Sequence, residues 1–306
     1  MNKLISSENI NVAVDVLSNG GLVVFPTETV YGLGGNAYSD SIVASIFSCK
    51  KRSEFNPLSV CYKNLESAVN DVVITDYARR IAEKFLPGPI TLVLKRKIDT
   101  KLSLLCSAGL DTIGIRIPAN HIALNLLSSL DFPLAAPSAN TSGNLSHTTA
   151  ESVNEDLNGV AILNGGKCNL GIESTIIDCS GEKLIIRRQG AITANDLAQK
   201  CSFLVNEIKF EEKTKRFILK KRIVLNLNAA FVNADDALLA FGKPPKFSCK
   251  KILNLSENAN LNEAAANLFS MLQELDNSDA KRICVMPIPN MGIGEAINNR
   301  LNSALY

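Results

Sequence analysis

Residues 25–37 read Phe-Pro-Thr-Glu-Thr-Val-Tyr-Gly-Leu-Gly-Gly-Asn-Ala, so an apolar run gives way to hydroxyls, a carboxylate and three glycines. Such a change at the end of a strand is typical of a binding site. Residues 21–25 predict a buried strand, which Pro26 ends because proline cannot donate to the sheet. The glycines allow the backbone to approach a ligand closely or to adopt positive φ angles. The alternative is a glycine-rich turn that binds nothing, and the spacing does not match the dinucleotide-binding fingerprint.

The bulk composition is that of an ordinary globular protein, with 46% hydrophobic and 20% charged residues. A length of 306 residues is sufficient for two domains. The net charge of +2 argues against a large uniform nucleic-acid surface. The chain shows neither a signal-peptide core nor an apolar run of the roughly 20 residues that span a bilayer. We therefore expect a soluble, cytoplasmic protein that does not contact membranes.

Eight cysteines are scattered through the chain, with no Cys-x-x-Cys pair and only two histidines. This spacing predicts no zinc site. Several cysteines lie within apolar, strand-like runs, as Cys179 does in residues 176–179. Because a free thiol behaves as a small apolar group, we expect reduced, buried cysteines in a reducing compartment.

The organisation along the chain predicts two domains. Strand-like and helix-like patterns alternate over residues 1–204, which predicts an α/β or α+β layered domain. A charged stretch over residues 205–222 is interpreted as a linker. Residues 223–306 have an α/β pattern of their own and predict a smaller domain. The predicted strands are 21–25, 58–62, 90–95, 112–117, 133–136, 160–164, 174–179 and 184–188, followed in the second domain by 222–227, 237–241, 251–255 and 282–286.

Capping residues and apolar spacing predict several helices. Thr75 is positioned to cap a helix that ends at residues 87–89, which read Pro-Gly-Pro. Pro118 is expected to open another helix. A third begins near Asn260 in the second domain. Its predicted apolar face consists of Ala264, Ala265, Leu268, Phe269, Leu272 and Leu275.

Four polar clusters follow predicted elements of the first domain. The first contains Lys50, Lys51 and Arg52 and is followed by Asn56, after a helix-like stretch over residues 40–49. A fixed fork of donors beside a point charge suits the phosphates of a nucleotide. The alternative is a basic helix end that complements the helix dipole.

The second cluster lies on the predicted strand 112–117. Alternation along a strand puts Thr112, Gly114 and Arg116 on one face, with apolar residues on the other. An inward-facing arginine needs a partner, because burying a lone charge is costly. That partner is either the carboxylate of a ligand or an internal Asp or Glu.

The third cluster, residues 135–143, presents Ser138 and Asn140 two residues apart after an apolar strand. A nucleophilic serine is an alternative, but the Gly-x-Ser-x-Gly elbow is absent and His147 is the only nearby base. A turn that satisfies its own backbone is the stronger alternative.

In the fourth cluster, two strands joined by a hairpin at residues 180–182 are expected to bring Ser174 and Arg188 together. Four clusters in one domain favour a polar binding pocket.

In this order and spacing, the clusters resemble the YrdC-like threonylcarbamoyl-AMP synthase family. The resemblance rests on Pro-Thr-Glu-Thr-Val-Tyr-Gly-Leu-Gly, Lys-x-Arg, Asn-Pro-Leu, Pro-Gly-Pro-Ile-Thr, Pro-Ser-Ala-Asn, Glu-Ser-Thr-Ile-Ile and Arg-x-Gly, and covers about residues 8–200. Residues 254–256, 263–269 and 292–300 resemble the appended domain of the long, two-domain form. The resemblance implies a YrdC-like twisted mixed sheet with flanking helices, followed by a smaller Rossmann-like α/β domain.

The implied reaction condenses L-threonine, bicarbonate and ATP into threonylcarbamoyl-AMP and pyrophosphate, for N6-threonylcarbamoyladenosine in tRNA. The implied enzyme class is nucleotidyltransferase. The implied threonine-binding residues are Thr29, Arg116, Ser138 and Ser174. The implied ATP-binding residues are Lys50, Arg52, Asn56, Thr112, Asn140, Thr148 and Arg188, and Lys50 and Arg52 would also be catalytic because they neutralise charge as pyrophosphate leaves.

The same resemblance implies cofactors and partners. Mg²⁺ is expected to enter with ATP and bridge its phosphate oxygens, without a tightly bound cofactor. A threonylcarbamoyl transferase complex is expected to use the product downstream, and any contact of this chain with tRNA is expected to be weak.

Two positions depart from the family pattern. Cys61 stands where family members commonly have histidine after Asn-Pro-Leu, which predicts a missing or altered contact on the threonine side. Long members carry a linker whose tyrosine reaches the nucleotide, whereas residues 213–222 contain neither that tyrosine nor the flanking prolines. This basic linker either closes the site through other contacts, such as phosphates, or leaves a more open pocket.

Two other functions compete with the synthase. A YrdC-like protein that binds RNA without catalysis would show steep salt dependence and no ATP turnover. Carbamoyl transfer is performed by the related domain of hydrogenase maturation proteins, which also carry acylphosphatase-like and zinc-finger regions that this sequence does not show.

Overall fold

A computed structural model describes residues 2–203, 208–211, 217–228, 231–244 and 248–305. The chain divides into two units. The first unit comprises residues 1–142, 146–168 and 173–213, and the second comprises residues 143–145, 169–172 and 214–306. The predicted α/β class is confirmed in both units.

A large mixed sheet forms the centre of the first unit. Its strands, in chain order, are β1 Lys3–Ser6, β2 Val23–Phe25, β3 Gly32–Asn36, β4 Ser59–Cys61, β5 Ile90–Lys95, β6 Thr112–Arg116, β7 Leu134–Ala135, β8 Ala161–Asn164, β9 Thr175–Asp178, β10 Leu184–Arg188 and β11 Ile208–Phe210. They lie in the order β1-β8-β2-β3-β7-β4-β6-β5-β9-β10-β11. All eight strands predicted for this region are found, with ends moved by at most two residues.

Helices cover this sheet. They are α1 Ile10–Ser18, α2 Asp40–Cys49, α3 Leu65–Ala68, α4 Asp76–Phe85, α5 His121–Ser128, α6 Ala150–Asp156 and α7 Ala194–Cys201. The main core contains residues of α2, α4, α6 and α7 packed on one face of the sheet. A second core packs α1 and α5 against strands β1, β2 and β8 on the other face. The sheet is therefore covered on both faces at the β1–β8–β2 end.

The helix predictions are mostly confirmed. Thr75 caps α4, because its hydroxyl accepts a hydrogen bond from Ala78 N at 3.2 Å. Pro118 does not open α5, which begins at His121. The physical reason is the side chain of Asn120, which accepts hydrogen bonds from Ile122 N and Ala123 N at 3.0 and 3.1 Å. This cap moves the start of the helix beyond the proline.

The glycines of residues 32–35 form neither a turn nor positive φ angles. They lie in β3, a buried strand that pairs antiparallel with β2, and none of them has a positive φ. A Cβ at Gly34 would lie 2.8 Å from the Phe25 ring, and one at Gly35 would lie 2.7 Å from Ile42. These glycines therefore allow β3 to pack closely between its core neighbours.

The predicted linker at residues 205–222 is partly structured. Residues 208–210 form the edge strand β11, parallel to β10. In the second unit, Phe217–Ile218 forms β12 and pairs with β17 Ala304–Leu305. Residues 204–207 and 212–216, which include the first four residues of the basic stretch 213–222, lie outside the described residues.

The second unit contains a four-stranded parallel sheet. Its strands are β13 Arg222–Val224, β14 Ala237–Ala240, β15 Lys251–Asn254 and β16 Arg282–Val285, in the order β13-β16-β14-β15. The helices are α8 Leu261–Asp276 and α9 Ile293–Asn302. Asn260 caps α8, and all six residues predicted for its apolar face are buried. None of the described helices in the chain combines the length and apolar character needed to cross a bilayer.

Candidate active site

Small and polar side chains line one face of the central strands β4, β6 and β5. Ile113 and Ile115 of β6 are buried in the main core, whereas Gly114 between them is only partly buried. Gly114 pairs with Ser59 of β4. A Cβ at Gly114 would lie 3.1 Å from Thr91 Cγ2 and 3.4 Å from Ser59 Oγ. The alternation of the strand thus gives one apolar face and one face of small and polar side chains on which a ligand can lie. We call the face formed by Ser59, Thr91 and Gly114 the floor.

Arg116 lies at the carboxyl end of β6, at one border of this floor. Its Nη2 donates to Glu28 Oε1 at 2.8 Å and to Thr29 Oγ1 at 2.7 Å. The second carboxylate oxygen of Glu28 accepts from Ala119 N at 3.1 Å. The structure therefore brings Arg116 and Thr29 together, as expected, and supplies the internal carboxylate that was the alternative partner for the guanidinium.

The guanidinium of Arg116 retains donor capacity. Its side chain is 10% exposed, and its Nε is buried without a hydrogen-bond partner among the described residues. Buried donors of charged groups are rarely left unpaired, so this atom is suited to a ligand acceptor. Glu28 was not predicted as the residue that orients Arg116. The sequence feature that could have indicated this role is the position of Glu28 between two threonines in the polar stretch 25–37.

Cys61 is the residue beside Arg116 on the neighbouring strand, since the two pair in register between β4 and β6. The thiol is buried, and burial raises its pKa to about 11. Cys61 also packs in the second hydrophobic core. At this position the chain therefore has a neutral, apolar thiol, and the missing or altered contact on the threonine side stays a prediction.

Lys50 follows α2 and is 1% exposed. Its ammonium donates to the backbone carbonyls of Ser138 and Asn140. Ser138 Oγ in turn donates to Asn140 Oδ1 at 2.5 Å. The structure thus joins the first and third polar clusters, and the lysine fixes the backbone of the loop that follows β7.

Three other predicted residues lie apart from these groups. Arg52 donates to the carbonyls of Asn56 and Pro57 at 3.1 and 3.0 Å, so its side chain stabilises the exposed loop over residues 52–57. Thr112 pairs with Lys95 at the opposite end of β6 from Arg116. Four residues of strand separate Thr112 from Arg116, which is about 13 Å. A ligand that reached all of them would have to be elongated.

Ser174 and Arg188 are brought together by the antiparallel pair β9 and β10. Arg188 Nε donates to Ser174 O and its Nη2 to Ser174 Oγ, both at 3.0 Å. The Ser174 hydroxyl also lies 2.8 Å from Thr91 Oγ1 on β5. This third group therefore borders the floor at Thr91, and the expected pairing of Ser174 with Arg188 is confirmed.

The loop after β7 is anchored by a hydrogen bond between His147 and Asp156, which the sequence did not predict. His147 Nε2 lies 2.9 Å from Asp156 Oδ2, which also accepts from Thr141 N at 2.8 Å. Burial alone would raise the pKa of Asp156, but the hydrogen bonds from His147 and Thr141 outweigh it and hold that pKa well below its usual range. The Ser138 hydroxyl donates to Asn140 Oδ1 rather than to His147, so the hydrogen bonds of the described residues do not form the serine–histidine pair of a nucleophile. The neighbouring Thr148 is buried, and its carbonyl accepts from Cys168 N.

Metal ligation by the chain itself finds no support in the described residues. Among them, no group of three or more His, Cys, Asp or Glu side chains is positioned to hold a metal ion. The residues at the floor are instead donors suited to anions: two guanidiniums, an ammonium and several hydroxyls.

Comparison with protein families matches both parts of the chain. Residues 15–190 match the Sua5/YciO/YrdC family, described as "Telomere recombination". Residues 199–304 match the family described as "Threonylcarbamoyl-AMP synthase, C-terminal domain". The two matches together extend over most of the sequence.

Individual relatives agree with these matches. The threonylcarbamoyl-AMP synthases of Pyrococcus abyssi and Bacillus subtilis are each 30% identical to this chain, over 96% and 95% of it and over 93% and 91% of their own lengths. The crystal structure of P. abyssi Sua5 complexed with L-threonine superimposes with a TM-score of 0.88 at 28% identity, covering 100% of both chains. The chain therefore belongs to the Sua5/YciO/YrdC family, in the two-part form of the threonylcarbamoyl-AMP synthases.

Proposed function

We propose that this protein is an L-threonylcarbamoyladenylate synthase of the nucleotidyltransferase class, which uses L-threonine, bicarbonate and ATP. The observation that carries the proposal is the Arg116 group. A buried guanidinium held by Glu28 and Thr29, with Nε still unpaired among the described residues, is suited to the carboxylate of an amino acid. The P. abyssi relative, crystallised with L-threonine, supports this choice of substrate.

In this proposal threonine lies at the Arg116 end of the floor. Its carboxylate accepts from Arg116, and Thr29 and Ser138 bind its polar groups. Ser174, which lies near Thr91 at the other border of the floor, binds the carbamoyl end. Glu28 is a positioning residue, because both of its carboxylate oxygens are already engaged by Arg116 and Ala119.

ATP would extend from Lys50 and Arg52 across the floor toward Arg188. The two basic residues bind the phosphates, with Asn56 beside them, while Thr112, Asn140, Thr148 and Arg188 complete the nucleotide site. The length of the nucleotide accounts for the distance between Thr112 and the other residues. For Arg52 to reach a phosphate it must exchange its contacts with the carbonyls of Asn56 and Pro57, so ATP binding would reorder this loop.

The proposed chemistry proceeds in two steps. The amine of threonine adds to bicarbonate and water leaves, which gives a carbamate. A carbamate oxygen then attacks the α-phosphorus of ATP, the bond to the β-phosphate oxygen breaks, and pyrophosphate carries away the electron pair. The chain's contribution is to hold two anionic reactants together and to stabilise the leaving charge with its cationic side chains.

Mg²⁺ would be supplied as the counter-ion of ATP, since the described residues offer no ligand set of their own.

The product is a mixed anhydride and must be consumed by a transfer enzyme, which we propose is the threonylcarbamoyl transferase complex acting on tRNA. With a net charge of +2, the chain itself would bind tRNA only weakly. All eight cysteines are free, and burial raises the pKa of each of them, in keeping with the proposed cytoplasmic location.

Pyrophosphate release tests this proposal directly. The purified chain is given ATP, Mg²⁺ and bicarbonate, with and without L-threonine, and threonylcarbamoyl-AMP is identified by mass spectrometry. We expect release that depends on threonine and on bicarbonate. Glycine in place of threonine should give much less product, because it lacks the hydroxyl that Thr29 and Ser138 would bind.

Two variants make the test specific. Arg188→Ala should lose most of the activity, whereas Arg79→Ala, an exposed arginine of α4, should keep it. Pyrophosphate release that is independent of threonine, or equal loss in both variants, would contradict the proposal. Salt-sensitive RNA binding without ATP turnover would favour the RNA-binding alternative instead.

A further inference from the structure

The second unit contains a crevice that the synthase reaction does not use. It has a cavity volume of about 330 Å³ and lies beyond the carboxyl ends of the parallel strands β13 and β16. Residues of the loops after both strands and of α9 line it. A cavity of this size falls within the range of small-molecule sites in proteins.

The crevice lies at a topological switch point, which is a position in the strand order where the connections on its two sides run in opposite directions. The connection from β13 to β14 and the helix α8, which joins β15 to β16, run in opposite directions across the strand order. Because crossovers between parallel strands are right-handed, the two lie on opposite faces of the sheet. Leu227 and Val232 of the first connection pack on Leu238 and Cys284, while α9 packs against α8.

The chain therefore leaves the neighbouring strands β13 and β16 toward opposite faces. A gap opens between their carboxyl ends, and in open α/β sheets ligands bind in such gaps. The crevice is thus located by strand order, independently of its side chains.

The polar lining of the crevice consists of four asparagines, and none of its lining residues is Lys, Arg, Asp or Glu. Asn298 Nδ2 donates to Ile288 O and Asn290 Oδ1 at 3.1 and 3.2 Å, which fixes both amides. Within the described residues, the amides of Asn226 and Asn302 form no side-chain hydrogen bond. Asn226 has a φ of +55°, a left-handed conformation that asparagine tolerates better than other side chains.

The remaining walls are apolar. Leu225, Val285, Met286 and Leu301 contribute aliphatic and thioether surface beside the amides. The lining offers no side chain of opposite charge to an anionic or cationic head group, which favours recognition of a neutral group. Apolar walls with amide donors and acceptors at the rim suit a flat ring whose edge carries both, and asparagine pairs with the edge of adenine in two hydrogen bonds.

We propose that this crevice is a second small-molecule site, in the second unit, that binds a neutral flat ligand of the purine-base class. The adjoining segment 292–300 is one of those that resemble the appended domain of long family members, and the proposed synthesis assigns it no role. A site of this kind would let the second unit respond to a nucleoside separately from the catalytic floor.

Hydrogen–deuterium exchange on the full chain, with adenosine as the probe, tests this proposal. We expect slower exchange at residues 225–228 and 286–302 when adenosine is added, and no such effect from ribose, which lacks the base. Asn226→Gly keeps the left-handed backbone and removes one amide, and Asn302→Ala removes another. The double variant should weaken binding by about tenfold or more, because two hydrogen bonds are lost.

Asn262→Ala, at an exposed asparagine of α8 outside the crevice, is the matched control and should keep the protection. Threonine-dependent pyrophosphate release without adenosine should be unchanged in all these variants, so that failure here is distinguishable from failure of the synthase proposal. No protection of these segments, protection by ribose alone, or undiminished protection in the double variant would each overturn the proposed site.

Discussion

Strands β6 and β14 both lie inside their sheets, yet they differ in how they are covered. In β14 the sequence Ala-Leu-Leu-Ala is fully buried on both faces. In β6 the sequence Thr-Ile-Gly-Ile-Arg buries Ile113 and Ile115 on one face and leaves Thr112 and Gly114 partly exposed on the other. Both strands have paired neighbours on each side, so pairing does not explain the difference.

The difference between β6 and β14 shows how a strand inside a sheet can leave one face free for a ligand. A parallel strand covered on both faces reads as a continuous apolar run. A central strand that alternates between apolar and small or charged residues retains one face for something other than the core. In β6 that face ends at Arg116, whose charge is tolerated because Glu28 pairs with it at 2.8 Å.

The largest effect is expected from Arg116→Ala, which removes the charge from the β6 face. Loss of a buried charge contact to the substrate should lower kcat/KM by about 100- to 1,000-fold. The variant also leaves Glu28 buried and unpaired, which should lower the free energy of unfolding by about 3–5 kcal/mol. Steady-state pyrophosphate release and urea unfolding measure the two effects.

The double variant Arg116→Ala/Glu28→Gln separates these effects. It should regain most of the stability, because no unpaired carboxylate remains, but none of the activity. If activity returned with stability, Arg116 would act only through folding, and the threonine-binding role would be wrong.

The second-largest effect is expected on the stability of the second unit, from a substitution in the apolar strand β14. Leu239→Ala in β14 should lower the unfolding free energy of the second unit by about 2–5 kcal/mol, since Leu239 is fully buried. At temperatures where both units stay folded, threonine-dependent activity should be unchanged. Ile252→Ala on β15 is the control, because Ile252 is 41% exposed and its removal should cost less. Equal destabilisation by the two variants would contradict the difference in coverage.

Gly114→Val fills the floor of the site while keeping a residue that favours strands. The new side chain meets Thr91 and Ser59, so overpacking should cost about 1–3 kcal/mol, and the occupied floor should raise the KM for threonine or ATP at least about tenfold. Gly181→Val is the control, because a Cβ there meets no atom within 4 Å. An unchanged KM in Gly114→Val would show that the floor is not part of the site.

The smallest effect is expected from Asp156, whose carboxylate bonds His147 and Thr141 of the loop after β7. The pKa of Asp156 is lowered on folding, so its carboxylate stabilises the folded state above about pH 4, and that contribution is lost as the pH falls further. Asp156→Asn should therefore cost about 1 kcal/mol at pH 7, and progressively less below pH 4. Urea unfolding at several pH values, with exposed Asp131→Asn as control, measures this difference. A cost independent of pH would mean that the charge of Asp156 is not what stabilises the loop.

Local patterns in the sequence were sufficient to predict most elements. Alternation on residues 112–117 predicted β6 and the shared face of Gly114 and Arg116, and the capping residues Thr75 and Asn260 predicted where α4 and α8 begin. The start of α5 was misplaced because proline and asparagine compete as helix starters, and only the hydrogen bonds of Asn120 decide between them.

The sequence named candidate residues for the site, which stay predictions, and it predicted only some of the contacts that the structure shows between them. The pairing of Ser174 with Arg188 followed from a hairpin, which is a local feature. Arg116 on β6 and Glu28 are 88 positions apart, so only the tertiary fold brings them together. His147 and Asp156 are nine positions apart, and their contact depends on how the loop before α6 folds back on the end of that helix.

Periodicity, caps and motifs act over a few neighbouring residues, and they were enough to predict the α/β class, which the structure confirms. The domain boundary at residues 205–222 and the residues that would bind an anionic substrate stay predictions. Only the tertiary structure decided that the glycines at residues 32–35 pack inside the sheet and that Lys50 binds the carbonyls of Ser138 and Asn140. It also decided that the crevice in the second unit lies at a switch point. Each of these depends on which strands become neighbours, and strand order is set by packing between segments far apart in the chain.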